Sequence, residues 1–257
     1  LLIVGGGYIG LEAAATARKF GVDVTLVEIE ERILKRVAAK ETSDFIRSLH
    51  ISNGVNIKEA VGLGKLEIAD DKVLSASLTD GSDINVDFVI VGIGITPNTE
   101  LAEGANLKIN NGILINDKCQ TSVSNIYAAG DCTSFQYKDT LVRLESVGNA
   151  IDQATIVAQN IMKQNTNYIP KPWFWSDQYD LKLQIAGLNT GYDEVVVRKG
   201  KNKQVSHWYF KGQSLLAVDA LNDPRCYMIG KRLIEENKSP SKNQLRDENF
   251  NLKVLLK

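Results

Sequence analysis

Gly5, Gly7 and Gly10 fall in the run Gly5-Gly6-Gly7-Tyr8-Ile9-Gly10, a G-x-G-x-x-G spacing. Glycines at those steps suit a bound pyrophosphate. The first permits a tight turn, the second lets the backbone approach the anion, and the third lets a helix pack close to a strand. The phosphates then meet unpaired backbone N–H groups at a helix N-terminus. The pattern alone is common, so its context decides. Here an apolar run, residues 1–4, precedes it and an alanine-rich stretch follows. Glu28 closes the next apolar run, about 20 residues on, where such sites carry an acid. A carboxylate there accepts hydrogen bonds from both ribose hydroxyls and repels a 2′-phosphate, which predicts NADH over NADPH. Arg32 and Arg36 follow closely and would soften that preference; a solvated helix face is the alternative for both. The plain alternative for the whole motif is a glycine-rich turn beside a surface Glu.

Two further runs end in glycine. Gly92-Ile93-Gly94 closes the apolar stretch 86–91, and Ile126-Tyr127-Ala128-Ala129 delivers Gly130 and Asp131. A glycine followed by a carboxylate at the end of a strand suits the ligand edge of an open α/β sheet.

The elements that must carry these residues read as strand (1–4), helix (8–20), strand (22–27) and helix (38–49). Near-continuous apolar strands of this kind belong to a parallel sheet covered on both faces. Short strands are expected at 55–57, 64–68, 73–78 and 86–91, with Asp80-Gly81 as a turn. Strands follow at 113–115 and 126–129, then a helix over 146–162 with Ala150, Ala154, Val157, Ala158 and Ile161 at helical spacing. Composition changes after Asn165. Leu181, Leu183 and Ile185 alternate with Lys182, Gln184 and Ala186, a half-buried strand. Further strands fit 194–198, 205–210 and 215–220. Asp223 and Pro224 mark the N-cap and first position of a helix to about residue 236. Residues 239–257 read as a loosely packed, mixed-charge tail. The fold class is α/β, Rossmann-like, followed by a small α+β domain.

The 257 residues suit about two domains, and 44% hydrophobic with 24% charged is the ordinary globular balance. The net charge of −1 gives no reason to expect nucleic acid. It is uneven, however: residues 1–166 hold 15 basic and 21 acidic residues, residues 167–257 hold 15 and 10. Cys119, Cys132 and Cys226 lie far apart, so neither a metal site nor a redox dithiol is expected, and scattered thiols fit a reducing cytoplasm. No apolar run is long enough to cross a bilayer, and no membrane partner is expected. The chain opens at Leu1, inside an apolar run and without Met, which reads as a fragment.

GGGYIGLE, VGIGITPN and IYAAGD, in that order, resemble the two-dinucleotide-binding flavoprotein reductases. Arg143-Leu144-Glu145-Ser146-Val147 and Pro172-Trp173-Phe174-Trp175-Ser176-Asp177-Gln178 resemble the ferredoxin-reductase branch, which includes putidaredoxin reductase and the reductases of aromatic-ring dioxygenases. The resemblance covers nearly the whole chain. It implies an NAD(H)-binding domain at 1–92, the returning part of an FAD domain at 93–165 and a C-terminal interface domain at 166–257. It implies that Asp131 bonds the FAD ribityl chain, with Gly130 before it. Glu145, Ser146 and Val147 would lie at the flavin pyrimidine edge, Trp175 near the flavin, and Glu12 against the nicotinamide. Solvent exposure is the alternative for Glu12, and a core position for Trp173 and Trp175. The branch's first G-x-G-x-x-G would lie before Leu1, so the chain is expected to carry flavin-facing residues without the ADP half of that site.

The expected cofactors are FAD and NAD(H), and the expected activity is NADH-dependent reduction of a ferredoxin or rubredoxin serving an oxygenase or P450. Two alternatives stay open: a disulfide reductase or NADH oxidase on the same scaffold, and a non-catalytic NADH-binding protein in the manner of apoptosis-inducing factor.

Overall fold

The computed structural model describes residues 1–201 and 203–256; Asn202 and Lys257, both inside the expected C-terminal domain, stand outside the description. The chain forms two compact units. One takes Leu1–Gly94, Trp175–Ile185 and Asn189–Lys257, the other Ile95–Phe174 and Ala186–Leu188.

The first unit opens with β1 (Leu2–Val4), α1 (Tyr8–Lys19), β2 (Val24–Glu28), α2 (Lys40–Ser52) and β3 (Val55–Glu59), then β4 (Leu63–Ala69), β5 (Lys72–Leu78), β6 (Asp83–Asn85) and β7 (Val89–Val91). A four-stranded sheet runs β3-β2-β1-β7, and β4-β5-β6 form a separate antiparallel sheet. Strand β1 pairs in parallel on both sides, Ile3 opposite Leu26 and Ile90. That central place explains its unbroken apolar sequence, with Leu2 and Ile3 fully buried. Of the expected strand at 86–91, only Val89–Val91 is strand. Val86 is buried but Asp87 and Phe88 are exposed, and β7 lies at the sheet edge, where one side needs no apolar cover.

The second unit holds α3 (Glu100–Gly104), β8 (Ile113–Leu114), β9 (Thr133–Tyr137), β10 (Thr140–Val142) and α4 (Val147–Ile161). Ser146 caps α4 by accepting the N–H of Asn149, and Gly148 lies under Trp173, where a Cβ would come within 2.4 Å of the indole nitrogen. Residues 126–129 are not a strand. They make a single bridge, Gln120 to Tyr127, plus the bond from Ala128 N–H to the Cys119 carbonyl. Four residues cut short by Gly130, at a φ of 89°, leave no room for a longer ladder. The ladder instead forms just after them, in β9 and β10.

The C-terminal sheet, β11 (Trp173–Gln178), β12 (Leu181–Gly187), β13 (Glu194–Lys199), β14 (Val205–Lys211) and β15 (Ser214–Leu221), has the order β11-β12-β15-β14-β13. Its strand β14, between β15 and β13, buries Trp208, Tyr209 and Phe210 completely. Within the first unit, one cluster packs Ile3, Leu11, Leu26 and Ile46 with Leu183 and Leu221. Asp223 caps α5 (Pro224–Glu235) with Pro224 in its first turn, as the sequence predicts.

The tail is not loose. It forms α6 (Lys242–Arg246) and a 3-10 turn, Leu252–Leu256, with Leu245 and Leu252 buried. The buried Arg198 guanidinium donates to the carbonyls of Leu245 (3.0 Å), Asp247 (2.6 Å), Glu248 (2.9 Å) and Phe250 (2.9 Å).

Candidate functional site

The glycine-rich loop joins β1 to α1, and its three glycines have different surroundings. Gly5 has a φ of 109°, and a Cβ there would come 2.3 Å from the Gly92 carbonyl. A Cβ on Gly10 would come 2.1 Å from the Gly5 carbonyl. These two are required by packing. Gly7 faces open space. It is the N-cap of α1, no side chain caps that helix, and its first turn carries no acid. The first N–H groups of a helix lack intrahelical acceptors, so an anion fits there. Ile9 is largely exposed beside them. Tyr8 turns its hydroxyl inward, where burial and then the Asp219 carboxylate raise its pKa well above the ordinary value.

Glu28 ends β2 under this loop. Its carboxylate accepts the N–H of Gly6 (2.7 Å) and of Glu30 (2.8 Å). Two oxygens offer about four acceptor sites, so capacity remains for ribose hydroxyls. Arg32 is committed elsewhere: it donates to the Ala38 carbonyl (2.9 Å) and to Ser43. Arg36 is exposed. Gly92 joins the loop through the bond from its N–H to the Val4 carbonyl (2.8 Å), while Ile93 and Gly94 are exposed.

Glu12 is not simply solvated. It is half-buried, and Ser176 Oγ on β11 donates to its Oε1 at 2.5 Å. Gln178 Nε2 donates to Ser176 Oγ (3.0 Å), and Gln178 Oε1 lies 2.8 Å from His50 Nε2. Burial lowers the His50 pKa, partly opposed by the Gln178 bond. The same unit holds a second buried cluster. Thr42 Oγ1 bonds Asp219 (2.7 Å) and His207 Nδ1 (2.7 Å), Tyr209 donates to Asp219, and Ala39 N–H donates to Tyr209 (3.0 Å). Sequence reading missed both clusters, because the bonds that close them join residues more than 120 positions apart.

In the second unit, Gly130 is fixed by Gln153, whose Oε1 accepts its N–H (2.7 Å) and the Thr133 hydroxyl (2.9 Å). Gln153 Nε2 is buried with no hydrogen-bond partner among the described residues. Gln153 lies two turns along α4 from Ser146, a helical spacing that could have flagged it. The Asp131 side chain is exposed, and its carbonyl accepts from Arg143 (3.3 Å). Arg143 pairs with Glu145 (2.7 Å). Val147 is 57% exposed in the first turn of α4, which carries no acid. Trp175, in the first unit, is 39% exposed.

A parallel sheet whose first strand ends in this loop and whose second ends in Glu28 defines a dinucleotide-binding protein. Residues 1–154 match the family model for pyridine nucleotide-disulphide oxidoreductases, and residues 173–256 match the reductase C-terminal domain. The chain belongs to the pyridine nucleotide-disulphide oxidoreductase family, whose cofactors are FAD and NAD(P)H. It is 39% identical to rhodocoxin reductase of Rhodococcus erythropolis and 41% identical to putidaredoxin reductase of Pseudomonas putida, matched over its full length. It spans 61% and 62% of those two proteins. Among solved structures, it resembles a ferredoxin reductase from Rhodopseudomonas palustris at TM-score 0.95 and 36% identity, covering 99% of this chain and 64% of that one. The covalent putidaredoxin reductase–putidaredoxin complex gives TM-score 0.95 at 40% identity, covering 99% and 62%. Among the described residues, no helix is long and apolar enough to cross a membrane.

Proposed function

We propose that this chain supplies the NADH site, the later part of the flavin site and the C-terminal module of an FAD-dependent NADH:ferredoxin or rubredoxin reductase. The observation that carries the reading is the bond from Ser176 to Glu12. It ties the Trp-Phe-Trp-Ser-Asp-Gln strand of the reductase C-terminal domain into the helix that follows the nucleotide loop. The relatives named as reductases of rhodocoxin, putidaredoxin and rubredoxin support the acceptor class.

The residues fit both nucleotides. The open face of Gly7 and the uncapped start of α1 receive the pyrophosphate, Glu28 the adenosine ribose, and Glu12 the nicotinamide. Arg36, Gly92, Ile93 and Gly94 border that site. Glu28 repels a 2′-phosphate while Arg32 is held by Ala38 and Ser43, which supports NADH over NADPH. For FAD, Asp131 offers a carboxylate to the ribityl chain, with Gly130 set by Gln153. Ser146 and Val147 offer the positive end of α4 to the pyrimidine edge, with Glu145 beside them. Trp175 lies near the isoalloxazine ring in this reading. FAD held there would supply the redox chemistry that matches a two-electron donor such as NADH to a one-electron iron–sulfur carrier. The protein's own task is position, charge and exclusion of water.

The three cysteines of this chain form no redox pair among themselves. All three are unpaired, and burial pushes Cys119 up to about 11 and Cys226 up to about 12, so neither is a ready thiolate. The test is rapid mixing of the FAD-loaded, full-length protein with NADH or NADPH, then with a ferredoxin or a disulfide. Fast bleaching of the flavin by NADH, slow bleaching by NADPH, and electron delivery to the ferredoxin are expected. Preferential reduction of the disulfide would overturn the reading.

A further inference from the structure

The bonds that end on Glu12 have a direction. Burial keeps His50 neutral, so its ring has one N–H. Gln178 Oε1 only accepts, which places that hydrogen on His50 Nε2. His50 Nδ1 then accepts from Tyr179, 3.4 Å away. Gln178 Nε2 donates to Ser176, so the single Ser176 hydrogen goes to Glu12 Oε1. With the Gln178 amide reversed, Ser176 would donate to Gln178 instead, and Glu12 would have to bring the proton. The order Tyr179, His50, Gln178, Ser176, Glu12 therefore points every donor the same way. Ser176, Gln178 and His50 are fully buried, so this order is not scrambled by water. Glu12 Oε2 takes no hydrogen bond from the described residues and is left as an acceptor for a donor from outside.

We propose that Ser176, Gln178 and His50 are positioning residues that hold Glu12 as a fixed acceptor, so that the site selects a nicotinamide carboxamide and rejects a nicotinate carboxylate. This rests on the reading of Glu12 as the nicotinamide-facing residue. The carboxamide presents an N–H₂ donor to Oε2. A carboxylate in its place presents only acceptors and a second negative charge. The same argument predicts a reversal. In Glu12→Gln, Ser176 still donates to the side-chain oxygen, which turns the amide N–H₂ outward as a donor suited to the carboxylate.

The experiment measures binding of NAD⁺, its nicotinic-acid analogue and ADP-ribose to the full-length, FAD-loaded protein by titration calorimetry. The parent should bind NAD⁺ at least about tenfold more tightly than the analogue. Glu12→Gln should invert the order, and adding Ser176→Ala should erase the preference by letting the amide rotate. Ser176→Ala alone should weaken NAD⁺ about tenfold, and Ser176→Thr, which keeps the hydroxyl, should restore it. ADP-ribose should bind every variant alike. Loss of ADP-ribose binding along with NAD⁺ in Ser176→Ala would show a merely structural role and overturn the proposal. So would an inversion in Glu12→Gln that persists without the Ser176 hydroxyl. If the parent binds none of the three, the NADH reading itself fails.

Discussion

In the proposed reading, Glu28 serves the loop and the ligand at once. Its oxygens hold the Gly6 and Glu30 N–H groups, so Glu28→Ala removes both a ribose acceptor and a brace for the phosphate loop. NADH binding should weaken by about 1.5–3 kcal/mol, the worth of a charge-assisted hydrogen bond, while NADPH, relieved of repulsion, loses less. Calorimetry with both nucleotides checks this; equal losses would remove Glu28 from the ribose. Asp219 and His207 make a different case. Burial pushes Asp219 up to about 6 from an ordinary 3.8, and burial pulls His207 down to about 4 from 6.5. Folded Asp219 keeps a proton that the unfolded chain releases, so its contribution to stability is full below about pH 4 and is lost as pH rises through about 6. Folded His207 lacks a proton that the unfolded chain holds, so its contribution is full above about pH 6.5 and is lost as pH falls toward about 4. The slopes, up to about 1.4 kcal/mol per pH unit each, oppose one another between pH 4 and 6. Asp219→Asn should make stability climb more steeply with pH across that window than in the parent, and His207→Gln should tilt it the other way. Urea unfolding at pH 4, 5 and 6 measures both; unchanged slopes would mean that neither group titrates as described.

At the scale of the element, β13 and the C-terminal tail depend on one side chain. Arg198 is only 8% exposed and satisfies the carbonyls of Leu245, Asp247, Glu248 and Phe250, while Glu194 on the same strand pairs with Lys242 and Arg246. Hydrogen bonds from a charged donor contribute about 1.5–3 kcal/mol when buried partners would otherwise be stranded. Arg198→Ala should cost at least about 2 kcal/mol and release the tail. Trypsin should then cut at Lys242 and Arg246 well before the rest of the chain. Resistance equal to the parent's would place the tail's anchorage in Leu245 and Leu252 instead.

Across the whole molecule, charge is divided. Residues 167–257 hold 15 basic and 10 acidic residues, against 15 and 21 before them. An acidic iron–sulfur carrier would be drawn to the basic module, and charge of this kind acts mainly on encounter rate. Arg232 is exposed and lies 2.8 Å from Glu236, which Lys238 also meets, so the charges at the C-terminal end of α5 form a small network. Changing Lys231 and Arg232 together to Glu should slow ferredoxin reduction through apparent affinity and leave NADH-driven ferricyanide reduction unchanged. Salt should mimic the effect, since screening acts over about 10 Å at 0.1 M. An unchanged rate at low salt would send the electrons out by another face.

Local chemistry was legible in the residues themselves. The spacing of Gly5, Gly7 and Gly10, the N-caps Ser146 and Asp223 and the apolar period of α4 are local patterns, and Glu28 follows the loop at the separation that a strand-helix-strand unit sets. So the sheet, the phosphate loop and the start of α4 followed from sequence. The shortening of 86–91 to 89–91 and the missing strand at 126–129 did not, because strand length depends on which neighbour offers a ladder. The tail looked loose because its backbone carbonyls meet Arg198, and its Lys242 and Arg246 meet Glu194, only in the fold. For Glu12 the resemblance implied a place against the nicotinamide, with solvent exposure on an alanine-rich helix as the alternative. What it touches was decided by tertiary structure alone: β11 brings Ser176 to it from 164 positions away, and His50 stands behind Gln178 from 128. A hydrogen bond needs atoms within about 3 Å and a donor facing an acceptor, and sequence spacing carries neither over such a distance.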